Sequence, residues 1–287
     1  MDNALVNKIE FIDPLTDIGF KALFGNENYK DVLISFLNGL LMGKKIIHSL
    51  EFGPTEHIGN FDKRTVYFDL FCTGINGEQF IVEMQHKGHA HFRDRSVYYT
   101  SRLITDQIAV GQNSDYRLKE VIFIGILNFN FNKSIGKGHV NHICLTNRNT
   151  GEIFYEKLDY IFVELPKFVK PLHECVTVLD KWLYVLRNLR KMTSIPETLN
   201  EGIFKKVFKI TNLKNMNQKT LEDFRALNPI TERYAKEYAE EEARNEGKIE
   251  IISAMILNNY SNAEISKMTN LPEEEIENLI QYGNMKI

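Results

Sequence analysis

Asp69, Glu83 and Gln85 are the residues of this chain whose types and spacing could do the most chemistry. Two carboxylates offer the hard oxygen donors that magnesium or manganese takes. A neighbouring amide, which both donates and accepts, can orient a water. The three lie in YFDLFCTGINGEQFIVEMQH, residues 67–86, and can meet only if that stretch doubles back. Phe68, Leu70 and Cys72 alternate with Tyr67, Asp69, Phe71 and Thr73, and Phe80, Val82 and Met84 alternate with Gln79, Ile81, Glu83 and Gln85. Period-two alternation predicts two half-buried strands, and Asn76-Gly77 marks a hairpin turn between them.

Loop length then decides the chemistry. A two-residue loop would set Asp69 against Met84 and Leu70 against Glu83, mixing apolar and charged groups on both faces. A three-residue loop, Ile75-Asn76-Gly77 with Gly77 in the left-handed region, sets Asp69 opposite Glu83. It also gathers Phe68, Leu70 and Cys72 with Phe80, Val82 and Met84 on the other face. The pattern favours this second register. Opposed carboxylates repel, so removing one is expected to relieve strain unless a cation lies between them. A merely solvated polar face is the plainer alternative, and flanking Phe71 and Ile81 argue against it.

At these residues the sequence resembles the PD-(D/E)XK nuclease superfamily, and within it the transposase-like, recombination-promoting nuclease branch. Asp69 matches the family's aspartate and Glu83-Met84-Gln85 its second element, with Gln85 in place of lysine and Phe68 in place of proline. DPLTDIGFKALFG (residues 13–25), RSVYYTSRL (residues 95–103) and the chain order add to the likeness. The resemblance implies a restriction-endonuclease-like mixed sheet flanked by helices. It further implies Mg2+- or Mn2+-dependent hydrolysis of DNA phosphodiester bonds, as in recombination or mobile-element biology. Asp69 and Glu83 would hold the metal, and Gln85 would orient the water or the phosphate. Asp17 is a candidate for the carboxylate usually supplied by the first helix. Lys21 could bring positive charge to the scissile phosphate, although an i,i+4 ion pair with Asp17 also explains both residues. Arg95, Tyr98, Tyr99 and Arg102 fall on one helical face. Either the tyrosines pack while the arginines stay wet, or the arginines meet phosphate oxygens; the family motif favours the second for Arg95 and leaves Tyr98 against Tyr99 open. The competing class is a non-catalytic nucleic-acid-binding protein on a nuclease-derived scaffold, supported by the missing lysine. A third possibility is RNA as the substrate.

The elements that must position these groups are legible in part. With 287 residues and 43% hydrophobic side chains, the chain can bury one good core and a smaller second unit. Cys72, Cys144 and Cys175 lack metal-ligand spacing, which with reduced thiols points to a cytoplasmic setting. MDNALVNKIEF does not read as a signal peptide, and no apolar run approaches the ~20 residues of a membrane span. A net charge of −3 means that any nucleic-acid contact must be a local basic patch.

Helices are predicted over residues 13–25, 28–41, 92–110 and 172–192, and strands over 45–51, 120–129, 142–147 and 152–164. This is an α/β (α+β) core, residues 1–165, followed by an all-helical region: an extension over 166–245 and a helix-turn-helix-like unit over 246–287. EVIFIGILNF (residues 120–129) is apolar throughout, as a central strand covered on both faces should be. Arg187, Arg190 and Lys191 either complement a helix C-terminus or form a basic patch with Lys205, Lys206 and Lys209. His86, His89 and His91 read as a loop at the rim of the site rather than a zinc site. Residues 231–250 read as an exposed connecting helix. Ser261 should cap one C-terminal helix and Pro272 open the next. Glu273, Glu274, Glu275 and Glu277 on that last helix would be repelled by phosphates. The unit therefore reads as a packing or self-association module, through which a homodimer could form.

Overall fold

The structure is a computed structural model. It describes residues 10–57, 65–88, 91–108, 116–131, 135–224, 226, 247–273 and 276–277. They divide into a compact unit ending at Phe224 and a second one that includes residues 247–277. The first is built on a six-stranded mixed sheet flanked by helices, the architecture the sequence implied. Its strands are β1 (Leu50–Phe52), β4 (Leu70–Gly74), β5 (Gln79–Gln85), β6 (Val121–Leu127), β7 (Val140–Thr146) and β8 (Ile153–Glu164). Their order is β1-β4-β5-β6-β8-β7, and β2 (Glu56–His57) and β3 (Val66–Tyr67) form a separate ribbon. The pairs β5/β6 and β6/β8 are parallel, and the remaining pairs are antiparallel. A parallel step needs a crossover, and α3 (Phe92–Asp106) lies between β5 and β6 in the chain.

Every residue of β6 is buried, so its unbroken apolar run does mark the centre of the sheet. Leu70, Cys72, Val82 and Met84 join the core on one face. There α1 (Asp17–Phe24), α2 (Lys30–Leu41), α4 (Val178–Asn188) and α5 (Gly202–Thr211) converge on Trp182. That ring lies 5.6 Å from Phe24, 5.7 Å from Phe36 and 5.1 Å from Phe204, and its indole N–H donates to Ser35 Oγ. Helices from the stretch 166–245 thus share the core of the sheet. On the other face, Phe92 of α3 meets Phe123 and Phe162 across Gly125. A methyl group at Gly125 would come within 3.0 Å of Phe162 and 3.3 Å of Phe92, so this close approach of helix to sheet leaves little room for a side chain.

Several expected boundaries move for identifiable reasons. The long helix over 172–192 starts only at Val178, because Thr177 and Asp180 form a reciprocal capping box; Leu172–Glu174 is a separate turn behind Pro171. The strand over 45–51 shrinks to β1. The basic-patch question resolves toward structure for three of its members. Arg187 donates to the carbonyls of Leu165, Pro166 and Phe168, Arg190 pairs with Asp13 at 3.3 Å, and Lys206 pairs with Asp31.

In the second unit, Ile252, Ile265 and Ile276 are buried together beside Ile249, Met255 and Leu271. Ser261 caps α6 (Asn262–Thr269) through a capping box with Glu264, and Asn270 ends it in the left-handed conformation. Most of the expected connecting helix (231–246) and both Glu274 and Glu275 lie outside the described residues. Among the described residues no helix is long and apolar enough to cross a membrane.

The turn that sets the sheet register rests on Gly77, at φ 86°. Gly77→Ala places a side chain in the left-handed region and should cost about 1–2 kcal/mol, read as a lowered urea midpoint with an unchanged m-value.

Candidate functional site

The hairpin adopts the three-residue loop. Gly77 N–H donates to Gly74 O at 3.0 Å and Gly74 N–H to Glu78 O at 2.8 Å, closing a turn around Ile75 and Asn76. Leu70 pairs with Val82, Phe71 with Ile81, Cys72 with Phe80 and Thr73 with Gln79. One step beyond Leu70, Asp69 therefore comes opposite Glu83. The first arm is nevertheless not one straight strand. β3 ends at Tyr67 and β4 begins at Leu70, and the break turns Phe68 away from the face shared by Leu70 and Cys72. Its ring packs instead against His57 (4.7 Å), Tyr99 (5.1 Å) and Phe71 (6.0 Å).

At the break, side chains take over the ladder. Asp69 N–H donates to Glu83 Oε1 at 3.0 Å, and Met84 N–H donates to Asp69 Oδ2 at 2.8 Å. Each acid thus accepts from the opposite arm's backbone, which offsets part of the repulsion expected of them. Gln85 Nε2 approaches Glu83 Oε2 at 3.4 Å, and Arg95 Nη2 stands 3.6 Å from the same oxygen. The Arg95 guanidinium rests on the Phe92 ring (4.9 Å) and faces Tyr99 (5.7 Å).

These partners do not neutralise the pair. Burial first, and then the Asp69 charge, push the Glu83 carboxyl up to about 8 against the Asp69 amide and Arg95. Asp69 is also raised, chiefly by burial and further by Asp17; the Met84 amide, Lys21 and Arg95 pull the other way. The first helix therefore lies within electrostatic reach of the acids. Asp17 and Lys21 themselves form an exposed ion pair at 2.9 Å.

Two close carboxylates, one buried and one half-buried and both shifted toward the protonated form, have the donor chemistry of a divalent-cation site. Magnesium is commonly held by one or two carboxylates together with waters and substrate phosphate, which fits Asp69 and Glu83. Among the described residues no group of three or more His, Cys, Asp or Glu is arranged to hold a metal, so the set suits an ion that keeps much of its water. His86 is near Asn128 Nδ2 at 3.3 Å, His91 heads α3 beside Asp94, and His89 lies outside the described residues.

The structure separates the aromatic and basic residues of α3. Tyr99 turns toward Phe68 and Arg95, whereas Tyr98 is exposed. Arg102 lies two turns beyond Arg95, about 10 Å along the axis, buried and paired with Asp106 at 3.3 Å. Asp106 also stands 3.8 Å from His57 Nδ1. The arrangement explains Arg102 by packing, and it brings in His57, which sequence reasoning passed over because nothing near residue 57 points to residue 106.

The hairpin buries another glutamate with the opposite outcome. Against burial, hydrogen bonds from Asn76 and the Glu78 backbone, together with Lys45, hold Glu78 at about 2. Lys45 also pairs with Glu120.

The folded protein binds the Glu83 proton more tightly than the unfolded chain does. Its contribution to stability is therefore full below the unfolded pKa, about 4.3, and is lost as pH rises through about 8. Glu83→Gln mimics the protonated form. In metal-free buffer its melting temperature should match the parent's near pH 5 and exceed it increasingly toward pH 9; parallel curves would show that Glu83 is ionised throughout.

The family model described as PD-(D/E)XK nuclease family transposase matches residues 14–232, a span holding α1, the hairpin and α3. No curated protein and no solved structure matches the chain. The match points to a nuclease or recombination-related role, in a class of enzymes that generally uses divalent metals. The chain belongs to the PD-(D/E)XK nuclease family transposases.

Proposed function

We propose that the chain is a metal-dependent DNA endonuclease, using magnesium or manganese at Asp69 and Glu83 and acting in recombination or mobile-element biology. The observation that carries the reading is the pair itself: two carboxylates on one face, short of positive charge, beside an arginine and within reach of a lysine. A bound ion would polarise the phosphate and lower the pKa of the attacking water. Asp69 and Glu83 keep their backbone hydrogen bonds on one side and can offer their remaining lone pairs to the ion. Gln85 supplies an amide that can hold the water or a phosphate oxygen without adding charge. Arg95 and Lys21 supply the positive charge that a lysine at position 85 would otherwise bring. A separate C-terminal unit beyond about residue 245, a homodimer through its helices and a cytoplasmic location complete the proposal; the stretch after 165 completes the core of the sheet rather than forming a domain of its own.

One observation favours the non-catalytic alternative. The reciprocal bonds between Asp69 and Met84 and between Glu83 and Asp69 could be stitches in the ladder and nothing more. Plasmid incubation separates the two readings. Nicking should appear with Mg2+ or Mn2+ and vanish with chelator. Asp69→Asn, which keeps an acceptor for the Met84 amide, should abolish it with little loss of melting temperature. Asp69→Ala would leave that amide unpaired, at a further cost of about 1–2 kcal/mol in stability. Gln85→Leu should lower kcat by roughly 10²–10³-fold, as loss of one positioned donor does. Absence of metal-dependent nicking by the parent on plasmid, single-stranded DNA and RNA would favour the binding protein.

A further inference from the structure

Arg95 is held in a manner that its surroundings leave incomplete. Its Nε and Nη2 are shielded from solvent and make no hydrogen bond. The nearest anionic oxygen, Glu83 Oε2, is 3.6 Å from Nη2, beyond hydrogen-bonding distance. Glu83 is already engaged by the Asp69 amide and approached by Gln85. Nε and Nη2 together form the side edge of the guanidinium, the fork that takes two oxygens of one oxyanion. Donors buried without an acceptor cost stability, so an unfilled fork at this position points to an absent acceptor. The acid pair as a whole attracts the guanidinium without satisfying its geometry, while the aromatic faces of Phe92 and Tyr99 support the group.

We infer that Arg95 is a displaceable counter-ion: it leans on Glu83 while no metal is bound, and turns its Nε/Nη2 fork to a substrate phosphate once a divalent cation takes over Glu83. The inference rests on the metal-site reading above and adds a coupling to it. Arg95 and the cation share one carboxylate, so each opposes the other there. A phosphate that engages the freed fork removes that opposition, and metal and phosphate must then favour each other's binding by the same factor. The arginine side chain is about a third exposed, so its head can turn outward by rotation about its own bonds. Binding of a phosphodiester in the absence of metal is correspondingly held back.

Calorimetric titration tests this without reference to cleavage. Mn2+ is titrated into the full chain, into Arg95→Met and into Arg95→Lys at one pH; inorganic phosphate is then titrated with and without saturating Mg2+. Arg95→Met should bind Mn2+ at least tenfold more tightly than the parent. The parent should bind phosphate at least tenfold more tightly with Mg2+ than without, and Arg95→Met should lose that gain. Lysine keeps the charge but not the fork, so Arg95→Lys should take Mn2+ like the parent and still lose most of the gain in phosphate affinity. Equal Mn2+ affinity in the parent and Arg95→Met overturns the counter-ion role, and an undiminished Mg2+-dependent gain in Arg95→Lys overturns the fork. If the parent takes up no Mn2+, the metal site itself fails, an outcome distinct from both.

Discussion

The burial of two like charges on one hairpin is the constraint on which the site depends. Glu83 is nearly inaccessible and Asp69 half-buried, and a carboxylate taken out of water must be paired, hydrogen-bonded or protonated. The protein supplies two backbone amides, the Gln85 amide at 3.4 Å, one arginine at marginal distance and the more remote Lys21, which together are too little. Glu78, on the same hairpin, shows what sufficiency looks like: with Asn76 and Lys45 against it, its carboxyl falls to about 2. One buried glutamate is satisfied by its neighbours, and the other is left short of positive charge.

The rest of the fold maintains that imbalance. The left-handed Gly77 fixes a register in which Asp69 comes opposite Glu83; a one-residue slip would send one of them to the other face. The parallel pairing of β5 with the wholly buried β6 anchors the arm that carries Glu83 and Gln85. Phe92 packs over Gly125 and thereby sets the height of α3 above the sheet, bringing Arg95 to Glu83. The break at Phe68 and Asp69 frees the Met84 amide from ordinary strand pairing, so that a side chain rather than a carbonyl receives it.

Local signals made much of this readable. Alternation and Asn76-Gly77 predicted the register, because side-chain period and turn chemistry constrain each other within about twenty residues. The apolar run of β6 revealed the sheet centre for a similar reason. The break at Phe68 escaped notice because Phe68 alternates as a strand residue should, and its partners His57 and Tyr99 lie far away in sequence. Thr177 and Asp180 carry the spacing of a capping box, but the apolar residues from Leu172 onward already keep helical period, so the later start leaves little mark on the pattern. Long-range ion pairs such as Lys45 with Glu120, or Arg190 with Asp13, leave no local trace; isolated charges therefore looked like a candidate patch where the fold uses them as struts.

The central claim, that the Asp69 and Glu83 pair keeps a proton which a metal must replace, is tested most directly by counting protons. Calorimetric titration of Mg2+ at pH 7 in buffers of different ionisation enthalpy measures how many leave as the ion binds. With Glu83 at about 8, close to one proton should be released per ion, and release should vanish in Glu83→Gln. Binding without proton release in the parent would contradict the account, because the pair would then already be fully ionised.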